Sequence, residues 1–226
     1  MRLYGRRKGK KLRPLQEALL QSVLPRLSIA LPASGEPIDP RQFFPPGLED
    51  VWLEIGFGGG EHLAALASTH PGTGFIGCEP YVNGVVKLLA AVECQHLANL
   101  RIFPDDARLL LGHLAPHSLG RVFALFPDPW PKLRHHRRRL IQPAILDLIA
   151  GTMAEGAELR LATDDEEYAA SMRETLAAHL GFEALLDSAE RPAGWPATRY
   201  EAKAERAGRR PAYLVYRRRG RAAPAG

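Results

Sequence analysis

Two stretches of the chain carry side chains whose types and spacing could do chemistry. One is Leu53-Glu54-Ile55-Gly56-Phe57-Gly58-Gly59-Gly60-Glu61. Glycines there let a backbone turn tightly and pass close to a ligand at the start of a helix. The other is Phe126-Pro127-Asp128-Pro129-Trp130-Pro131-Lys132, followed at once by Leu133-Arg134-His135-His136-Arg137-Arg138-Arg139. Three prolines in five residues stiffen that backbone, so Asp128 and Trp130 are expected at fixed positions. A carboxylate and an aromatic ring beside a dense cationic strip suit a nucleobase whose phosphates are gripped nearby. The plainer alternative makes Asp128 a turn cap and Trp130 a core residue.

The glycine loop discriminates among nucleotides. A dinucleotide fingerprint starting at Gly56 needs a small residue at 61, where the chain has Glu61, a poor neighbour for a pyrophosphate. A phosphate-binding Walker loop needs Gly-Lys-Ser/Thr, which the chain lacks. Glu54, two residues before the first glycine, suits a ligand with a cationic end, such as the ammonium and sulfonium of S-adenosylmethionine. Glu79, in Cys78-Glu79-Pro80, suits a ribose with free hydroxyls, a feature shared with NAD enzymes. Asp106, in Asp105-Asp106-Ala107, falls where an adenine would be held. Each acid alone reads equally well as a helix cap. In register after three successive strands, Glu54, Glu79 and Asp106 are expected to hold the cofactor with Gly56 and Gly58.

These residues need a frame. Strands are expected at Val51–Gly56, Gly74–Pro80, Asn99–Pro104, Arg121–Phe126, Ala157–Thr163, Phe182–Leu186 and Ala212–Arg219. Helices are expected at Glu61–Ser68, Tyr81–Glu93, Asp106–His113, Arg139–Thr152 and Asp165–His179. Alternation of this kind implies an α/β, Rossmann-like domain: a mostly parallel seven-stranded sheet with helices on both faces, ligands lying beyond the carboxyl ends of the strands. The expected organisation is a basic N-terminal arm and helix over 1–47, the catalytic domain over 48–219, and a flexible tail over 220–226. The arm at 1–13 reads as flexible too.

Composition excludes several classes. At 226 residues, with 46% apolar and 24% charged residues, the chain is ordinary globular protein. No apolar run nears the roughly 18 residues that cross a bilayer, and the Arg-rich start is no secretory signal, so no membrane partner is expected and the cytoplasm is the default address. Cys78 and Cys94 lack ligand spacing, and His135 and His136 sit among arginines without a third ligand, so no metal is expected. The net charge of +5 is unevenly spread. Residues 1–13, 132–139 and 203–221 hold twenty of the 30 Lys and Arg but only one of the 25 Asp and Glu. Basic blocks on an acidic body form a footprint for a polyanion.

The motif Phe126–Lys132 with Arg134–Arg139 resembles the hallmark of the tRNA (guanine-N7)-methyltransferase family, within the class I S-adenosylmethionine-dependent methyltransferases. Leu53–Glu61, Ala162-Thr163-Asp164-Asp165 and Thr198-Arg199-Tyr200-Glu201-x-Lys203 match as well. Departures are Leu133 where the family commonly has a base, Tyr200 where it has Phe, and Pro80-Tyr81 after Glu79. The resemblance implies S-adenosylmethionine as cofactor, held by Glu54, Glu79, Asp106 and Asp128, the last being also the catalytic residue. It implies Lys132, Asp164, Thr198, Arg199, Tyr200 and Glu201 as substrate contacts, and Arg134, His135, His136, Arg137, Arg138 and Arg139 as the RNA strip. The implied partner is tRNA, the target guanine 46 of the variable loop, and the protein a monomer or homodimer.

The chemistry asked of these residues is modest. Guanine N7 carries a free lone pair at neutral pH, so alignment and electrostatics dominate. A fixed carboxylate at Asp128 would favour the positive charge that builds on the base. Asp164 or Glu201 would accept from guanine N1–H and N2–H₂, and the nucleotide would leave its stack to expose N7. Two rival readings are a small-molecule methyltransferase whose basic blocks serve solubility, and an RNA-binding protein that keeps the fold without activity.

Overall fold

Side chains alternate across the strands, and that alternation builds two apolar layers, one on each face of a single sheet. The structure, a computed structural model, describes residues 7–33 and 35–220. In chain order it runs α1 Pro14–Ser22, α2 Leu24–Leu27, β1 Asp50–Ile55, α3 Glu61–Thr69, β2 Thr73–Cys78, α4 Val82–Gln95, β3 Leu100–Phe103 and α5 Ala107–Leu111. There follow β4 Leu119–Leu125, α6 Pro143–Thr152, β5 Met153–Thr163, α7 Glu166–Ala177, β6 Phe182–Ser188, α8 Arg199–Arg206 and β7 Ala212–Arg218. Turns of 3-10 helix lie at Pro40–Phe43 and Leu133–Arg138.

The strand order is β3-β2-β1-β4-β5-β7-β6. β1 to β5 are parallel; β7 inserts antiparallel between β5 and β6. Val51, Leu53 and Ile55 of β1 join Val122 and Ala124 of β4 in a layer with α6 and α7. Trp52, Phe123 and Leu125 face the other way, against α3 and α4. The sheet is therefore mostly parallel and covered on both faces, as expected. Among the described residues no helix is long and apolar enough to cross a membrane.

Several boundaries moved for local reasons. The expected helix from Arg139 starts instead at Pro143, because the residue before a proline is pushed to extended geometry: Gln142 has φ −136° and ψ 152°. β5 begins at Met153, pairing with Leu119 across a bulge. The N-terminal segment is not loosely attached. Val23 and Leu27 are buried in one core layer, Ile29 and Phe44 in the other. Residues 7–10 lie along the start of α4: Val82 N–H donates to Arg7 O (3.0 Å), Gly9 N–H to Asn83 Oδ1 (2.8 Å), and Asn83 Nδ2 to Lys10 O (2.8 Å). The described part of the basic arm is thus tied to the body, by these bonds to α4 and by the Arg7 guanidinium on Asp105 (2.8 Å). The tail expected over 220–226 lies outside the described residues from 221 onward.

Candidate active site

Strand order reverses between β1 and β4, and a cleft of about 730 Å³ opens there beyond the carboxyl ends of the strands. Its floor is the turn after β1. Gly56, Gly58 and Gly60 have φ of 75°, 58° and 80°, backbone that L side chains rarely adopt. The turn is fastened by Gly56 N–H to Cys78 O (2.8 Å). A Cβ on Gly56 would meet no atom within 4 Å; it would stand in the open cleft, in the space a ligand needs. From behind, α4 presses so close that a Cβ on Gly84 would lie 2.1 Å from Gly58 O.

Glu79, after β2, is buried and accepts from Gly58 N–H (2.7 Å) and Tyr81 N–H (3.0 Å). Burial raises its carboxyl above the usual range against the pull of those two donors, and Asp128 adds to the rise. Cys78 beside it is buried and its thiol pushed up by that burial, with Asp106 and Glu79 contributing. Asp106 caps α5 through Arg108 N–H (3.1 Å) and takes the Arg108 guanidinium on both oxygens. Burial alone would raise Asp106; the hydrogen bonds and charge of Arg108 outweigh it and hold the carboxyl below the usual range. Glu54 differs. Alternation turns it toward α3, where it is buried against His62 Nδ1 (2.8 Å), and it does not line the cleft.

The wall opposite is the proline loop after β4. Phe126 N–H holds Ala162 O (2.7 Å), and both Phe126 (φ 52°) and Trp130 (φ 47°) sit in the left-handed region. Bulky residues there are costly, roughly 1–3 kcal/mol each, and persist only where the surroundings over-determine them. Between them Asp128 projects, exposed, into the cleft. Trp130 carries Arg138 over its face (4.9 Å) and His135 at its edge (5.9 Å). Phe126 stacks on Tyr200 at 6.3 Å, and the Arg199 guanidinium lies over the Tyr200 ring (4.8 Å).

Tyr200 arrives on α8, where the sequence predicts only a polar connection between the last two strands. Thr198 caps it and forms a reciprocal box with Glu201. The Thr-x-x-Glu spacing was the available signal. Glu201 is buried and its oxygens are engaged internally: Tyr213 hydroxyl donates to Oε1 (2.6 Å), Arg191 Nε sits 3.0 Å from the same oxygen, and Thr198 N–H reaches Oε2 (3.4 Å). Asp164, at the end of β5, pairs with Arg209 (2.9 Å) outside the cleft lining. The basic strip forms the 3-10 turn at the rim. Lys132, Arg134 and Arg137 are exposed, and His135, His136 and Arg138 half-buried. Arg139 is only 2% exposed, which corrects its expected place as a surface RNA contact. The cleft thus unites Gly56, Gly58, Glu79, Asp106, Asp128, Arg138, Arg139 and Tyr200. Tyr81 and Arg108 also line it and were not anticipated.

A family model described as "Putative methyltransferase" matches residues 49–214. A tRNA (guanine-N(7)-)-methyltransferase of Paramagnetospirillum magneticum is 51% identical over 97% of this chain and 94% of its own length. One from Rhodospirillum rubrum is 50% identical over 100% and 91%. Among solved structures, the 16S rRNA methyltransferase KamB superposes with a TM-score of 0.57 at 17% identity, covering 82% of this chain and 99% of its own. A 16S rRNA (adenine(1408)-N(1))-methyltransferase of Catenulisporales acidiphilia gives 0.53 at 15%, covering 78% and 88%. At such identities these two speak for the fold alone.

Proposed function

The chain belongs to the tRNA (guanine-N7)-methyltransferase family, and from that premise we propose that it methylates N7 of a guanine in tRNA, at position 46 of the variable loop, using S-adenosylmethionine. The observation that carries this reading is Asp128, held on a proline-locked loop and opening into the same cleft as the glycine turn, Glu79 and Asp106.

The cleft fits the cofactor. Its volume is that of a small-molecule site, and Gly56 leaves the floor clear. When bound, S-adenosylmethionine supplies a methyl group made electrophilic by a sulfonium. Glu79 has lone pairs left beyond its two backbone donors to accept ribose hydroxyls. Asp106 and Ala107 would hold the adenine, and the backbone of Gly56 and Gly58 would run beside the methionine. Glu54, satisfied by His62 behind the loop, lends that wall its charge rather than a direct contact.

Guanine N7 needs no base to remove a proton. Asp128 favours the positive charge that the ring acquires. The Phe126–Tyr200 stack gives the base a flat apolar wall. Neither of the two acids considered for the guanine edge lines the cleft: Glu201 is committed to Tyr213, Arg191 and Thr198, and Asp164 is paired with Arg209. Thr198 then serves as the cap of α8 rather than as a direct contact. Lys132, Arg134 and Arg137 grip phosphates at the rim.

The test is transfer of labelled methyl to tRNA, nucleoside analysis, and mapping of the product by strand cleavage at 7-methylguanosine. Label in 7-methylguanosine that vanishes when guanine 46 is replaced supports the proposal. Label at another guanine overturns the position, and label confined to small molecules overturns the substrate.

A further inference from the structure

Among the described residues Arg139 heads the fully buried large side chains, although it closes a run of surface cations. Its guanidinium joins three elements. Nε donates to Pro129 O (2.8 Å), the carbonyl next to Asp128. Nη1 donates to Glu167 Oε1 of α7 (3.1 Å), and Nη2 to the other Glu167 oxygen. Nη2 also meets His136 Nε2 (3.0 Å), in the basic turn itself. The cation lies over the ring of Tyr168 (4.8 Å), whose buried hydroxyl accepts from Ile141 N–H (3.1 Å). A planar fork with this many fixed donors sets angles as well as distances, which a lysine cannot do.

We propose that Arg139 is a positioning residue for the methyl-transfer reaction: it pins the Asp128 loop to α7 and to the RNA-facing turn, and does not itself touch RNA. This rests on the reading of Asp128 and the cleft given above. The basic strip then has two jobs divided along its length. Arg134 and Arg137 face outward to phosphate, whereas Arg139 turns inward and fixes where Asp128 stands when RNA lands on the turn. Loss of the anchor leaves the phosphate grip in place and shifts the loop. Displacement of about 1 Å at a reacting group costs on the order of 10²-fold in rate.

Steady-state kinetics on tRNA, with binding measured across a salt series, separates the two roles. For Arg139→Gln and Arg139→Lys alike, kcat falls on the order of 10²-fold while KM for tRNA and the salt slope stay at wild-type values. For Arg137→Gln, KM rises and the slope becomes shallower by about one. Glu167→Ala removes the other end of the anchor from a solvent-exposed position on α7, so it tests the idea even if the Arg139 variants fold poorly; its kcat falls in the same direction, about tenfold. Tryptic cleavage between Lys132 and Arg138 gives a readout independent of activity: it accelerates in both Arg139→Gln and Glu167→Ala, in the latter at unchanged melting temperature. Unchanged kcat and cleavage in Glu167→Ala, or an Arg139 variant that behaves like Arg137→Gln, overturns the proposal. Faster cleavage together with a wild-type protein that methylates no tRNA supports the anchor and defeats the functional reading instead.

Discussion

Asp128 and Glu79 face each other across one cleft with opposite demands on their charge. Asp128 stands at an exposed mouth, and its value to the reaction is its negative charge. Asp128→Asn keeps the shape and removes that charge; kcat should fall about 10²-fold or more with the melting temperature unchanged. Turnover near wild type would remove Asp128 from the reaction. Glu79 is buried, and its carboxyl sits above the usual range for that reason. Ribose hydroxyls are best accepted by the ionised form. Cofactor affinity is therefore full above the raised pKa and declines as pH drops through it, earlier than an ordinary carboxylate at about 4.3 would allow. Calorimetric titration of S-adenosylmethionine from neutral pH downward should show this decline in the wild type and a flat, weaker response in Glu79→Gln. An equal pH response in both proteins would exclude Glu79 as the titrating group.

At the scale of elements, α8 decides whether Tyr200 reaches Phe126. The helix is short and buries only Glu201 and Ala204, so its cap matters more than its packing. Thr198→Ala removes the bond to Glu201 N–H, at a cost of about 1 kcal/mol. Amide exchange over Arg199–Arg206 should then quicken roughly fivefold, with the rest of the protein unaffected; unchanged exchange would show that Glu201 and Tyr213 hold the helix without the cap. The same element marks the limit of what the sequence discloses. Strands β1 to β5 and the loops after them are legible because alternation, glycines and prolines are local signals. α8 has little apolar content to announce its period, Tyr200, Ala202 and Ala204 among charged residues, and Thr198 and Glu201 three apart are the clearer signal. The inward turn of Arg139 is invisible among its arginine neighbours, since its partners Glu167 and Pro129 are brought to it only by the fold. Likewise the alternation of Glu54 fixes its face but not that His62 would be waiting there.

Over the whole molecule, the antiparallel course of β7 splits the C-terminal basic block. Ala212 pairs with Thr163 at the cleft end of β5, and Arg217 with Glu158 toward the other end. Arg217 bonds Glu183 (3.1 Å) and Arg218 bonds Ala150 O (2.7 Å), while Arg219 follows at the edge away from the cleft. The expected three-part footprint therefore loses Arg217–Arg219. Replacing Arg217 and Arg219 with Gln should leave the salt slope of tRNA binding intact, whereas the same change at Arg134 and Arg137 should reduce it by about two. Equal slopes in the two variants would move the RNA to another face. The strand order carries one more consequence. β6 has a single neighbour, β7, which follows it in the chain. On the ribosome, then, β6 emerges as an orphan and cannot join the sheet until a later strand arrives to bridge it to β5. A chain interrupted between the two would display an open β5 edge, a ready mark for the quality-control machinery of the cell.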